Sequence, residues 1–286
     1  MARLVIAVLL CLITSISWAQ NNVIRVNDNG SDPNAAYVIK MMKLAIEHID
    51  TPYTIEINRE QYSQAKVNEE VRTRGLLDVV WTTADAEIEK ALLPIRIPLL
   101  KGLLGYRIFI IHKKNQFKFS HVNTLDDLKK ISIGQGRTWT DAKILESNGL
   151  NVIKSNKYPN LFYMLDGERF EAFARGVNEP FGELAQRPEM KDLMVEETLL
   201  ISYKMPFYLF VAPDNQKLAK ELELGFNRAI ADGSFDKVFY NDPNIKDVLD
   251  KANMKNRKVF YLDNPFLTKE TPLDRKELWF DPKTAP

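Results

Sequence analysis

Cysteine is nearly absent from this chain: one residue in 286, Cys11. A single cysteine allows no internal disulfide, and it cannot build a thiolate metal site. Histidine is scarce too, with His48, His112 and His121 at no metal-ligand spacing. No charge sign dominates, since 39 basic residues face 38 acidic ones and the net charge is +1. A nucleic-acid partner therefore has no electrostatic support. Glycine-rich phosphate loops are missing. Gly134-Gln135-Gly136-Arg137-Thr138-Trp139 opens like a dinucleotide fingerprint but has Trp139 where the third glycine belongs. There is no Gly-x-Ser-x-Gly nucleophile elbow. These absences imply no cofactor and remove most common enzyme classes.

The first twenty residues stand apart. Arg3 precedes an apolar run from Leu4 to Ile16, and Ser17-Trp18-Ala19 follows with small residues at the two positions a signal peptidase inspects. The run is shorter than the ~20 residues needed to span a bilayer, so residues 1–19 read as a secretory signal peptide cut after Ala19. Cleavage removes Arg3 and Cys11, so the 39 basic residues fall to 38 against 38 acidic ones, with no cysteine. Such a chain must hold itself together by its core.

Beyond the leader, patterning alternates between strand and helix. Val23–Val26 alternates as a strand, Asp28-Asn29-Gly30-Ser31-Asp32-Pro33 is a turn, and Ala35–Ile49 carries apolar residues at helical spacing. Tyr53–Ile57, a helix over Ser63–Arg74, and the apolar run Leu76–Trp81 complete a β-α-β-α-β unit. That is the signature of a parallel sheet with helices on its faces. A second such unit runs from about Lys113 to Ala174. In it, Thr124-Leu125-Asp126-Asp127 and Thr138-Trp139-Thr140-Asp141 read as capping boxes. Then come a strand at Phe207–Val211, an amphipathic helix over Lys217–Ala231, and a helix start at Asp242-Pro243. The tail from Lys258 to Pro286, rich in proline and aromatics, reads as a strap over a surface. The expected fold is α/β: two lobes, each with a mainly parallel sheet flanked by helices. Two extended crossings, near Arg107–His112 and Tyr203–Val211, would join them.

Four segments in order resemble the type II periplasmic solute-binding proteins, in the group related to the polar amino-acid binders of ABC transporters (family 3). They are Gly75-Leu76-Leu77-Asp78-Val79-Val80-Trp81-Thr82-Thr83, Ile131-Ser132-Ile133-Gly134-Gln135-Gly136-Arg137-Thr138, Gly167-Glu168-Arg169-Phe170-Glu171-Ala172-Phe173 and Asp232-Gly233-Ser234-Phe235-Asp236-Lys237-Val238-Phe239. The resemblance spans about Val23 to Tyr240. It implies a discontinuous first lobe, residues 20–110 and 206–286, a second lobe, residues 111–205, and a hinged cleft between them. It also implies a periplasmic or secreted monomer that catalyses nothing and hands a small-molecule ligand to an ABC importer or a sensor receptor. Two departures set the chain apart. Amino-acid binders follow the first motif with an arginine that grips the ligand carboxylate, and Thr82–Lys90 offers none. Where they hold the ligand ammonium with an aspartate, this chain has Gly176.

Parallel α/β sheets bind ligands at strand carboxyl ends, where the following helices start. That rule selects Thr82, Thr83, Arg137 and Thr138; Trp139 reads as a core or cleft-wall aromatic, and Asn27 and Tyr37 lie near the first strand and helix. Arg175 ends a strand, and its fork suits a carboxylate unless Glu179 or Glu183 already holds it. Arg107 lies among apolar residues and needs a partner, either a ligand or an internal carboxylate. If Arg107, Arg137 and Arg175 converge, the pocket is cationic and the ligand anionic, such as a dicarboxylate or an acidic amino-acid derivative. A dehydratase-like enzyme on the same fold is the alternative reading, with Glu171 or Glu179 as its acid–base group.

Overall fold

The computed structural model describes residues 22–283 except Ser31, Pro33 and Thr138; the expected signal peptide and the Thr138 cap lie outside the described residues. The chain opens with β1 (Asn22–Asn27), α1 (Ala35–Glu47), β2 (Tyr53–Asn58), α2 (Gln64–Arg72), β3 (Val79–Thr83), α3 (Ala86–Ala91) and β4 (Leu93–Ile95). Strands β1 and β2 pair in parallel. β1 flanks β3 through the Asp78 N–H, which donates to the Arg25 carbonyl at 2.8 Å. Asp78, the one charge in an otherwise apolar run, takes the Arg25 guanidinium at 2.8 and 3.0 Å. Its role is to fasten one strand to the next.

After a first crossing over residues 96–105 come β5 (Tyr106–His112), α4 (Gln116–Ser120), α5 (Leu125–Lys129), β6 (Ser132–Gly136), α6 (Thr140–Ser147), β7 (Asn151–Ser155), α7 (Tyr158–Asp166), β8 (Ala172–Gly176), α8 (Pro180–Ala185), β9 (Leu193–Val195) and β10 (Leu199–Ser202). A second crossing at residues 203–206 leads to β11 (Phe207–Val211), α9 (Gln216–Ala231), α10 (Ser234–Asn241), α11 (Pro243–Ala252) and β12 (Lys258–Tyr261).

In each lobe one strand runs against the rest. In the first lobe β11 is antiparallel to both β3 and β4. In the second, β5 is antiparallel to β8, β9 and β10, while β6 runs parallel to β7 and β8. Each reversed strand is the one the chain forms on arriving from the other lobe. Sequence patterning reads strands at Tyr106–His112 and Phe207–Val211, and both form; what shifts is the place of the crossings expected near Arg107–His112 and Tyr203–Val211. Most of each stretch is strand, and the crossings are short segments just before each strand. The physical reason is burial: apolar runs of that length belong inside a sheet rather than in a connector. On β11, Phe207, Leu209 and Val211 enter one core and Tyr208 and Phe210 the other, the two-residue alternation of a strand covered on both faces.

Helix starts follow the sequence unevenly. Thr124 and Asp127 form the expected capping box on α5, and Asp242 caps α11 ahead of Pro243. α6 differs: its first residue is preceded by Trp139, which makes no side-chain cap, and Asp141 turns into the protein instead. α1 and α9 pack so closely that a Cβ at Gly225 would stand 2.1 Å from the Ala45 carbonyl oxygen. The tail is more than a strap. β12 adds to the second lobe's sheet in parallel with β10, so a segment expected in the first lobe is shared between both. From there the chain returns along both lobes, with Asn148 bonding Asp263 at 3.0 Å and the Ala86 N–H donating to the Phe266 carbonyl at 3.1 Å. Among the described residues no helix is long and apolar enough to cross a membrane.

Candidate functional site

The edge of the second lobe's sheet where β8 ends and the antiparallel β5 begins carries a cluster of opposed charges. Arg107, the second residue of β5, sits opposite Gly176 of β8, where a Cβ would come within 3.3 Å of the guanidinium. The arginine is 5% exposed. It pairs with Asp141 and, at 3.4 Å, with Glu179, and its Nε donates to the Tyr203 hydroxyl at 3.0 Å. That hydroxyl donates in turn to Asp141. Burial opposes the charge on Arg107, but Asp141, Tyr203 and Glu179 outweigh it and hold the group firmly protonated. Burial also pushes the Tyr203 phenol far above its usual range.

Arg175 is held as tightly. Its Nε and Nη2 reach Glu183 at 2.9 and 2.6 Å, and Nη2 reaches Glu179 at 2.8 Å. The guanidinium lies over Trp139 at 4.9 Å, Phe173 at 5.0 Å and Tyr158 at 5.5 Å, a three-sided aromatic seat. Glu179 links the two arginines and also accepts from the Gly176 N–H at 2.6 Å. Two guanidiniums thus face three carboxylates, Asp141, Glu179 and Glu183, and the cluster is formally negative rather than cationic. Sequence reading named the partners of Arg175 in advance. It missed Asp141, because a helix-start acid reads as a cap until the fold brings Arg107 beside it.

The remaining candidates lie apart. Thr82 and Thr83 are half-buried on β3, in register with Tyr208 and Phe207. Arg137 is exposed and bonds Asn156 at 2.7 Å. The Asn27 amide donates to the carbonyls of Asn58 and Glu60 at 3.2 and 3.1 Å. It lines a first-lobe cavity of about 140 Å3 together with Asp28, Asp32 and Trp81. The Trp81 indole donates to Asp32 at 2.6 Å. Among the described residues, no hydrogen bond, ion pair or ring contact joins Thr82, Thr83, Asn27 or Arg137 to the Arg107–Arg175 cluster. Of the candidates among the described residues, the structure brings together Arg107, Trp139 and Arg175.

A cavity of about 260 Å3 does lie between the lobes, lined by Tyr37, Leu103 and Leu104 on one side, Asn178 and Phe181 on the other, and Asp242, Asn244 and Asp247 of α11. The Tyr37 hydroxyl donates to the Leu99 carbonyl at 2.7 Å, leaving its ring as wall. The buried Oδ1 of Asn178 has no hydrogen-bond partner among the described residues. Of these residues the sequence alone points only to Tyr37, since the cavity joins segments from four parts of the chain. The Asp242-Pro243 helix start and the Gly176 departure were its nearest signals.

No family model matches the chain, and no curated protein is similar enough to report. Solved structures do match. An ancestral arginine-binding protein bound to arginine shares 16% identity and a TM-score of 0.51, over 77% of this chain and 97% of that one. The probable amino-acid ABC transporter extracellular-binding protein ytmK from Bacillus subtilis shares 13% identity and a TM-score of 0.57, over 79% and 100%. A histidine kinase sensor domain with similarity to periplasmic binding proteins shares 10% identity and a TM-score of 0.50, over 77% and 94%. At these identities the likeness speaks for the fold, which is that of the type II periplasmic solute-binding proteins.

Proposed function

We propose that this chain is an exported solute-binding protein that encloses a small polar ligand between its lobes and presents the closed form to a membrane partner. The observation that carries the reading is the interlobe cavity. Both lobes and α11 line it, and one of its lining residues, Asn178, keeps a buried Oδ1 without a hydrogen-bond partner among the described residues. A hinge motion about two short crossings would open and close that space. The fold neighbours support both kinds of partner, an ABC importer and a sensor.

The charge of the ligand is argued from the same groups. Arg107 and Arg175 are already met by internal carboxylates, so they offer no free positive charge for an anion. The polar part of the interlobe cavity's largely apolar lining consists of amides together with Asp242 and Asp247, with no cation among its described lining residues. A neutral or ammonium-bearing ligand fits that lining better than the dicarboxylate expected from sequence. Glu171 is tied to Lys118 and Ser132, and Glu179 to both arginines, so nothing singles out either as an acid–base catalyst.

A thermal-shift screen of amino acids, amines, dicarboxylates, sugars and phosphates tests the reading. At roughly 100 times its dissociation constant a ligand adds about 2.7 kcal/mol of stability, a rise of several degrees for a chain of this size. The expected hit bears an amino or amide group, and its shift disappears in Asn178→Ala. Hits confined to dicarboxylates, or a shift that survives Asn178→Ala unchanged, would overturn the assignment.

A further inference from the structure

The second crossing, the start of β5 and the tail border another space. It has a volume of about 460 Å3, within the ~300–1,000 Å3 usual for ligand pockets. Tyr203 and Lys204 come from the second crossing, Tyr106 from the start of β5, and Tyr261, Lys276 and Trp279 from the tail. The polar tips of three of the rings in its walls, Tyr106, Trp279 and Tyr203, are engaged. Tyr106 donates to the Phe280 carbonyl at 2.8 Å, Trp279 to the Pro272 carbonyl at 2.9 Å, and Tyr203 to Asp141. They offer flat apolar surface. Trp279 is seated on Gly102, where a Cβ would come within 2.6 Å of the indole and where φ is 72°, a conformation that favours glycine.

The lysines at this wall outnumber its carboxylates. The Lys204 ammonium stands 4.7 Å from the Trp279 ring and makes no hydrogen bond or ion pair among the described residues. Partial burial lowers its pKa, and the Asp281 carboxylate works in the opposite direction. Lys276 and Lys283 line the same cavity and make no side-chain ion pair among the described residues, so three lysines face one aspartate. An ammonium offers three rotatable donors and no acceptor, and it suits a carboxylate.

We propose that this hinge cavity is a second ligand site, taking a small carboxylate with a flat apolar body that lies against Trp279 while its charge meets Lys204. The site is independent of whatever the cleft binds. Its occupant would touch residues from the second crossing, the reversed strand β5 and the tail together, and so would bear on the hinge itself.

The test follows the Trp279 indole N–H resonance, assigned by its loss in Trp279→Phe, while the purified protein is titrated with benzoate, benzamide, benzylamine and inorganic phosphate. Benzoate shifts the resonance saturably, and the other three leave it in place. Lys204→Gln weakens benzoate about tenfold, the loss of one charged hydrogen bond, and Lys204→Arg retains most of the affinity. Asn178→Ala leaves benzoate binding intact, which separates this site from the cleft. An unmoved resonance with benzoate, equal binding of benzamide, or full affinity in Lys204→Gln would overturn the proposal. Equal binding of phosphate would remove the apolar body from it.

Discussion

Two sets of cationic side chains in this molecule meet opposite fates. In the second lobe Arg107 and Arg175 are buried, and every strong donor has a carboxylate, hydroxyl or aromatic face to meet it. At the hinge Lys204 borders an aromatic cavity, and its ammonium has no ion pair among the described residues. Both sets of residue types suggest anion recognition when read as letters. The difference lies in compensation. A buried charge that the fold itself has neutralised belongs to the architecture, whereas an uncompensated charge at a cavity wall is available to a visitor.

The sharpest way to break this contrast is to unbalance the buried side. Arg107→Met leaves Asp141 buried with only Tyr203 to answer it, and breaking such a pair costs about 3–5 kcal/mol. Denaturant unfolding should show that loss. The double variant Arg107→Met/Asp141→Leu should recover much of it, because replacing both partners removes the stranded charge. If the single variant is as stable as the parent, the cluster is not structural and Arg107 returns to the list of ligand contacts.

The same contrast explains what the sequence could and could not tell. Strands buried on both faces, such as β11, read as continuous apolar runs, and α9 reads from its helical spacing, so the two-lobed plan was legible before any coordinates. Glu179 and Glu183 were named as partners of Arg175 because they lie within a turn or two of it. Asp141 was out of reach, since its partners Arg107 and Tyr203 stand far away in sequence and only the meeting of β5, α6 and the second crossing unites them. β12 was missed because four residues, Lys258 to Tyr261, give too short a pattern to distinguish from an extended tail. The interlobe and hinge cavities are assembled from α11 and the tail together with the core lobes, and no local pattern marks such a union.

A smaller effect is expected on the uncompensated side. Lys204→Gln removes a charge that the fold does not use for pairing, so stability should stay within about 0.5 kcal/mol of the parent. Unfolding by denaturant measures this directly. A destabilisation approaching that of Arg107→Met would mean that the contact with Trp279 is structural, and the contrast between the two regions would dissolve.

The smallest effect belongs to a charge that is paired but not buried deeply. His48 closes α1, where its ring bonds the Leu44 carbonyl at 2.7 Å and Asp232 at 2.8 Å. The Leu44 carbonyl first, and then Asp232, raise the His48 pKa above its ordinary value. Asp232 is held down at about 2, chiefly by Ser234 and then by His48. A raised histidine stabilises the fold fully below its unfolded pKa of about 6.5, and that contribution disappears as pH rises through the folded value. The lowered aspartate acts in the other direction. Its contribution is present above the unfolded value near 3.9 and is lost as pH falls through about 2. Between those limits both terms operate, and the melting temperature should decline gently as pH climbs past the unfolded histidine value of about 6.5. His48→Gln should flatten that decline by about a degree or less, as expected for a solvent-screened pair. A pH profile that keeps its slope in the variant would assign the titration elsewhere. A change of many degrees would place His48 with the buried arginines, as a charge the fold cannot do without.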